Sequence, residues 1–232
     1  MKISKANTDI PEDSLISEAV TIKTTYPPGR VFNVYVMSEI GYADEYIELI
    51  DILAGAKDTD TFNIYLNTPG GNMDTAIMIV NALASTEAIT TAYLTGNVAS
   101  AGTVIALACD ALVPMAYSEF MIHTYSMGAY GKGHELDTRV KFTSDNWKKF
   151  AKDVYTPFLT DDELDSILKG QDMYFSASEV VDRWERVIQF REKQADAYKQ
   201  DNLLEDTNMI IQYLQDNGYT VTKSKTKSKS ES

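Results

Sequence analysis

The sequence of 232 residues has few of the side chains that bind metal ions or form disulfides. It contains one cysteine and two histidines, which exclude an internal disulfide and provide no ligand cluster for a metal. The single cysteine, Cys109, lies in an apolar run and is expected to be a small buried side chain. We therefore expect no metal site and no cofactor.

Long apolar runs are also missing. No run approaches the roughly 20 residues that a membrane-spanning helix needs, and no apolar segment typical of a signal peptide follows Met1–Lys5. The net charge of −13 disfavours nucleic acid as a partner. We expect a cytoplasmic protein that binds neither membranes nor nucleic acid. A Walker motif, G-x-x-x-x-G-K-[ST], is absent too, so the chain itself is not expected to hydrolyse ATP.

Strand and helix patterns alternate through the middle of the chain. Strands are predicted at residues 31–37, 62–66, 89–94, 111–114 and 120–124. Helices are predicted at residues 42–56, 73–85, 98–108, about 136–158, 161–169 and 175–184. Such alternation with short connections predicts an α/β fold, with a mainly parallel sheet covered by helices.

The two ends of the chain differ from this middle part. Residues 1–29 are polar and predict an N-terminal arm, with one short strand near residues 19–23. The folded domain is expected to cover residues 30–188. A C-terminal helical extension is expected at 189–221, with an amphipathic segment near 209–214, and the Lys/Ser tail at 222–232 is expected to be disordered.

One serine lies where a strand-like apolar run meets a helical one. Ser100 is flanked by small residues, which would let another backbone come close to its hydroxyl. The unsatisfied N–H groups and the dipole at a helix start favour negative charge there. Taken alone, however, a serine in this place is most simply a helix cap.

Three other features can be set beside this serine. Gly70 and Gly71 follow a strand and open a helix, so they form either a tight turn or a set of free N–H donors. His123 lies on an apolar strand, and Asp172 precedes an apolar stretch; each has an ordinary structural explanation. Together they supply a nucleophile, a base, an orienting carboxylate and oxyanion donors, in the order Ser…His…Asp.

Four ordered motifs make a family resemblance specific. Leu66–Gly71 (LNTPGG) resembles N-S-P-G-G at a strand end, and Gly96–Gly102 (GNVASAG) resembles the nucleophile turn G-x-A-A-S-M-G. Phe120–His123 (FMIH) matches x-M-I-H, and Asp172–Glu179 (DMYFSASE) resembles D-R-x-x-S-A-x-E. Over about residues 30–188 the chain is similar to the proteolytic subunit of the ATP-dependent Clp protease, which has a crotonase-like fold.

The resemblance implies a spiral of β-α-β units with a long handle helix inside a handle region at about 126–160. It also implies a serine endopeptidase. By this resemblance Ser100 would be the nucleophile, His123 the general base, and Asp172 the residue that holds the imidazole tautomer. The backbone N–H groups of Gly71 and Ala101 would form the oxyanion hole.

The resemblance also implies how substrate is held and where the enzyme works. The expected substrate-binding residues are Gly70, Thr124, Tyr125 and Ser126, and the substrate is an unfolded polypeptide. Cleavage would take place inside a homo-oligomeric ring, or a pair of stacked rings, and an AAA+ unfoldase would be the partner.

The chain departs from the family pattern in several places. Ala101 stands where the family has methionine, and Thr68 stands where it has serine. The arm does not resemble the family's axial loop, and residues 190–232 extend beyond the usual end. These departures would suit a divergent member, for instance one encoded by a phage.

Two other functions fit parts of the sequence. A structural or scaffold ring paralogue would keep the fold without activity, although it would not need Ser100, His123 and Asp172 together. A crotonase-type acyl-CoA enzyme also builds its oxyanion hole from backbone N–H groups, and it does not need these three residues either. Labelling by a serine-reactive probe distinguishes the peptidase from the scaffold.

Overall fold

Seven strands form one mixed sheet in the computed structural model, which describes residues 20–25 and 29–216. The strands are β1 (Val20–Thr25), β2 (Val31–Val36), β3 (Thr61–Thr68), β4 (Ile89–Ala99), β5 (Ala111–Pro114), β6 (Glu119–Ile122) and β7 (Met173–Ser176). Their order is β1-β2-β3-β4-β6-β7, with β5 also paired to β4. All pairs are parallel except β1–β2 and β6–β7, which are antiparallel.

Helices connect and extend this sheet, so the predicted α/β fold with its mainly parallel sheet is confirmed. The helices are α1 (Ile47–Ala54), α2 (Met73–Ser85), α3 (Ala101–Ala108), α4 (Gly133–Tyr155), α5 (Asp161–Leu168) and α6 (Ala177–Asp216), and a short 3₁₀ helix (Ala43–Tyr46) precedes α1.

Strand β4 has two successive neighbours on one side. Its first part, Thr91–Leu94, pairs with β5, and its last part, Asn97–Ala99, pairs with β6. On its other side β4 pairs with β3. The carboxyl end of β4 therefore lies between β3 and β6, and because all three run parallel, the residues that follow them meet at one edge of the sheet.

The core lies on one face of the sheet. Alternate residues of β2, β3 and β4 are buried there, among them Val34, Ile64 and Leu94. On the opposite face Tyr35 and Tyr65 stack with ring centroids 4.9 Å apart, and Tyr65 stacks on the neighbouring tyrosine of β4 at the same distance. This face is half-buried.

Several element boundaries differ from the sequence prediction. Val98 and Ala99 belong to β4 rather than to the helix, because they pair with β6. The helix predicted from Phe175 is wrong at its start, since Met173–Ser176 form β7 and pair with β6. Strand β6 ends at Ile122, so residues 123 and 124 lie in irregular structure.

Helix α6 is longer than predicted. Instead of a short helix and a separate amphipathic segment, residues Ala177–Asp216 form one continuous helix. The segment contains no glycine and no proline, so nothing in it interrupts helical hydrogen bonding. By its internal contacts the chain divides into two units, and the second begins at Arg186 within this helix.

The arm and the tail are described only in part. The short strand expected in the arm is present as β1, which pairs with β2. Residues 1–19, 26–28 and the predicted tail at 222–232 lie outside the described residues. Among the helices described, none combines the length and the apolar character needed to cross a bilayer.

Candidate active site

Ser100 occupies a strained turn between β4 and α3. Its φ is 53° and its ψ is −123°, in a region that residues other than glycine rarely adopt. The Ser100 N–H donates to the Met121 carbonyl at 2.9 Å, so the turn is tied to β6. The Ser100 side chain makes no capping hydrogen bond to α3. Ser100 therefore occupies the N-cap position of α3 without capping the helix through its side chain, and its hydroxyl has another partner.

That partner is His123, the first residue after β6. Its Nε2 lies 2.7 Å from Ser100 Oγ, within hydrogen-bonding distance, and both side chains are half-buried. The contact follows from the sheet: Ala99 pairs with Met121, which brings the ends of two adjacent parallel strands side by side. The structure thus brings together a hydroxyl and an imidazole in the geometry required of a nucleophile and its base.

The turn after β3 packs directly against Ser100. Gly70 has a φ of 97°, and a Cβ atom at this position would lie 2.7 Å from Ser100 Cβ and 2.8 Å from the carbonyl oxygen of Ala99. Both of its backbone groups are used within the fold: its N–H donates to Thr68 Oγ1 at 3.1 Å, and its carbonyl accepts from Ile40 N–H at 2.7 Å. Only glycine permits this close approach to the turn at Ser100.

Two backbone N–H groups beside this turn are left free. Gly71 bridges to Ile40, but the bridging hydrogen bonds use the neighbouring residues, Gly70 and Asn72. Ala101 is the first residue of α3, where an N–H has no partner inside the helix. Within the described ranges, neither N–H donates a hydrogen bond. Such unpaired donors beside a serine hydroxyl are the groups that an oxyanion hole requires.

Asp172 lies close in register but is not joined to the histidine. In the antiparallel β6–β7 pair Ile122 is opposite Met173, so the same register carried one residue further places His123 opposite Asp172. The Asp172 side chain is exposed. Across residues 20–25 and 29–216, no hydrogen bond or ion pair connects it to His123.

The predicted substrate-binding residues after His123 form no strand. Thr124, Tyr125 and Ser126 lie in an irregular segment that leads to α4. The Tyr125 ring meets Trp147 edge-on, with ring centroids 5.6 Å apart, so this segment is anchored to α4. Their role in binding stays a prediction.

The sequence analysis missed two residues at the turn that carries Ser100. Thr103 Oγ1 donates to the Ser100 carbonyl at 2.6 Å and lies 3.0 Å from the hydroxyl of Tyr155. A threonine three residues after Ser100, in the first turn of a helix, could have indicated the first contact. Tyr155 is 52 residues away from Thr103 in the chain, and nothing in the sequence indicates the second contact.

In the described part of the chain, no group of three or more His, Cys, Asp or Glu residues is arranged to hold a metal ion. Cys109, as predicted, is buried.

A comparison with known families agrees with the fold. The model of one family, Clp protease, matches residues 29–184, which include the sheet from β2 to β7. No curated protein matches the chain. The family match covers more than half of the sequence and includes the turn that carries Ser100 and the strand before His123. The chain belongs to the Clp protease family, a family of peptidases.

Proposed function

We propose that the protein is the proteolytic subunit of a Clp-type serine endopeptidase, with Ser100 as nucleophile and His123 as general base. The observation that carries this proposal is the 2.7 Å contact between His123 Nε2 and Ser100 Oγ, at a serine held in a strained turn. Strain of this kind persists where surrounding structure enforces it, and it is concentrated at functional sites.

The chemistry follows from the positions of these groups. As Ser100 Oγ attacks the scissile carbonyl carbon, its proton passes to His123 Nε2, which requires the neutral imidazole to carry its proton on Nδ1. The tetrahedral oxyanion accepts hydrogen bonds from the N–H groups of Gly71 and Ala101. The imidazolium then protonates the leaving amine, and a water activated by the same histidine hydrolyses the acyl-enzyme.

Asp172 is proposed as the orienting carboxylate. Its place opposite His123 in the β6–β7 register supports this role, because cross-strand neighbours have Cβ atoms about 5 Å apart. In that role the carboxylate would accept a hydrogen bond from the Nδ1–H of His123. The Asp172 side chain is exposed, which leaves it free to adopt that position.

A polypeptide is the proposed substrate, with Gly70, Thr124, Tyr125 and Ser126 lining its path and cleavage occurring in a homo-oligomeric chamber fed by an AAA+ unfoldase. The match to the Clp protease family supports this assembly, because proteases of this family are typically oligomeric and work with unfoldases.

The test is the substitution Ser100→Ala, which removes Oγ and leaves the backbone in place. We expect loss of peptide hydrolysis and of labelling by a fluorophosphonate probe, because no other hydroxyl takes the place of the nucleophile. Ser85→Ala, at an exposed serine at the end of α2, is the matched control and should keep both activities.

Assembly is measured on the same samples by size-exclusion chromatography with light scattering. An unchanged mass for Ser100→Ala shows that the loss is chemical. Hydrolysis that survives in Ser100→Ala would overturn the assignment of the nucleophile. A wild-type oligomer that neither reacts with the probe nor cleaves peptides would instead indicate the scaffold alternative.

A further inference from the structure

The carbonyl of Ser100 is held by Thr103 through two hydrogen bonds. The Thr103 N–H donates to it at 2.9 Å, and Thr103 Oγ1 donates to it at 2.6 Å. Most carbonyls in a first helical turn accept one backbone hydrogen bond. Here a second donor, from a fully buried side chain, is added at the residue whose φ is 53°.

A second hydroxyl lies behind Thr103. Tyr155, near the end of α4, is fully buried, and its hydroxyl is 3.0 Å from Thr103 Oγ1. A hydroxyl has one proton to donate, and Thr103 gives its proton to a carbonyl, which can only accept. The Tyr155 hydroxyl must therefore be the donor in the second contact. The hydrogen bonds run in one direction, from Tyr155 through Thr103 to the Ser100 carbonyl.

The donors in this chain keep their protons over a wide range of pH. Burial raises the pKa of Tyr155 to about 12. The phenol keeps its proton throughout the pH range in which peptidases are assayed. The donor chain is thus present at every relevant pH.

The Ser100 carbonyl shares a peptide plane with the N–H of Ala101. In a trans peptide the C=O and the N–H point in opposite directions, so a carbonyl that cannot rotate also fixes the direction of the N–H. Hydrogen bonds to the carbonyl oxygen also polarise the peptide unit and strengthen its N–H as a donor. The hydrogen bonds that fix the Ser100 carbonyl therefore also fix the direction of the Ala101 N–H.

We propose that Thr103 and Tyr155 are positioning residues that aim the Ala101 N–H at the oxyanion formed on the substrate. The inference rests on the proposed function and adds to it a support that reaches from α4 to the nucleophile turn. Neither side chain touches the substrate. Both act by fixing the orientation of the peptide group between Ser100 and Ala101.

A structural role alone would give a different result. Two buried hydroxyls that merely satisfy each other in the core would affect stability, and removing both together would restore most of it, because neither is then left unpaired. A positioning role predicts that stability returns in such a double variant while catalysis stays impaired. This difference is the basis of the test.

The experiment compares Thr103→Val, which has nearly the same shape without a hydroxyl, with Thr103→Ser, which keeps the hydroxyl. The measurements are kcat and KM for a peptide, the inhibition constant of a peptide boronate, and the thermal midpoint. A boronate forms a tetrahedral adduct on the serine and places an oxygen in the oxyanion hole, whereas substrate binding in KM depends less on that hole.

For Thr103→Val we expect kcat to fall about 10-fold with KM nearly unchanged, since complete removal of one oxyanion donor costs about 100- to 1,000-fold and misalignment costs less. Boronate binding should weaken by about the same 10-fold factor. Thr103→Ser should stay within about twofold of the wild type, because its hydroxyl can make the same bond. Tyr155→Phe, which removes only the outer donor, should lower kcat about threefold.

The double variant Thr103→Val with Tyr155→Phe decides between the two roles. We expect its thermal midpoint to return toward the wild-type value while kcat and boronate affinity remain low. Recovery of the thermal midpoint, kcat and boronate affinity together would overturn the proposal. A Thr103→Val protein with unchanged kcat would overturn it as well. A wild-type protein without hydrolysis or labelling would overturn the proposed function as well, so the two failures are distinguishable.

Discussion

The two halves of the proposed triad differ in how firmly the fold holds them. Ser100 and His123 are half-buried and lie 2.7 Å apart, at the ends of two adjacent central strands. Asp172 is exposed, lies directly before β7 and makes no hydrogen bond to His123 in the described ranges. The comparison indicates that the sheet fixes the positions of Ser100 and His123, whereas the position of the Asp172 side chain can adapt.

The physical cause of this difference is the position of the strands. β4 is paired on both sides, so the backbone around Ser100 is fixed by hydrogen bonds to two neighbours. β7 pairs only with β6 and ends the sheet order. An edge strand is constrained on one side only, and a residue just before it has more freedom. Substitutions of Ser100 or His123 should therefore reduce activity more than a substitution of Asp172.

The largest effect is expected for His123→Ala. Without the imidazole, Ser100 Oγ has no base, and kcat for a peptide should fall by about 1,000-fold or more. The measurement is peptide hydrolysis, with circular dichroism to verify the fold. His134→Ala, at the exposed histidine near the start of α4, is the control and should change kcat little. A loss of less than tenfold at His123 would contradict its role as the base.

A smaller effect is expected for Asp172→Asn. The amide keeps the size but not the charge, and because this side chain is exposed we expect kcat to fall about 10- to 100-fold, less than for a buried triad carboxylate. Asp182→Asn, an exposed aspartate on α6, should leave kcat unchanged. If Asp172→Asn lost as much activity as His123→Ala, the carboxylate would be held as firmly as the base, and the comparison would fail.

The smallest effect on activity is expected for Glu163→Gln. Arg183 binds the Glu163 carboxylate at 2.6 and 2.8 Å and lies 4.3 Å from the centre of the Phe175 ring, so this ion pair packs against β7. Hydrogen bonds from Arg183 are the main cause that lowers the pKa of Glu163 from 4.5 to about 2. Loss of the pair should cost about 1–2 kcal/mol of unfolding free energy at pH 7 and change kcat less than twofold.

The stabilisation by the Glu163–Arg183 ion pair should depend on pH. Because the pKa of Glu163 is lower in the folded protein, the stabilisation is present above pH 4.5 and declines as the pH falls toward 2. Urea denaturation at pH 7 and pH 3.5 should therefore show a smaller difference between wild type and Glu163→Gln at the lower pH. Glu185→Gln, exposed on α6, is the control. An equal difference in unfolding free energy at pH 7 and pH 3.5 would show that the charge of Glu163 does not cause the stabilisation.

Much of the fold could be predicted because its signals are local. The bounds of α2 and β5 agree with the prediction, and α2 begins where Asn72 accepts a hydrogen bond from the N–H of Thr75 at 3.1 Å. The start of α3 could not be predicted in the same way. Val98 and Ala99 are extended because they pair with β6, and a run of small residues contains no local sign of that partner. Strand β7 was missed because its pairing with β6 is not visible in its own four residues.

The candidate site was predictable in its residue types and not in its geometry. Sequence motifs selected Ser100 and His123, but their contact depends on the register of β4 with β6, which joins residues 22 positions apart. The positive φ of Ser100 is enforced by its surroundings rather than by its own preference. The contact between Thr103 and Tyr155 depends on how α4 packs against α3, which periodicity does not determine.

The parallel pairing of β4 and β6 also bears on how this enzyme could vary. Because Ser100 and His123 each follow one of two hydrogen-bonded strands, their separation is set by the strand spacing of about 4.8 Å and not by the length of chain between them. Residues 115–118, which join β5 to β6 and include the fully exposed Tyr117, lie in that intervening chain. Insertions there would lengthen the chain between Ser100 and His123 without altering the distance between their side chains.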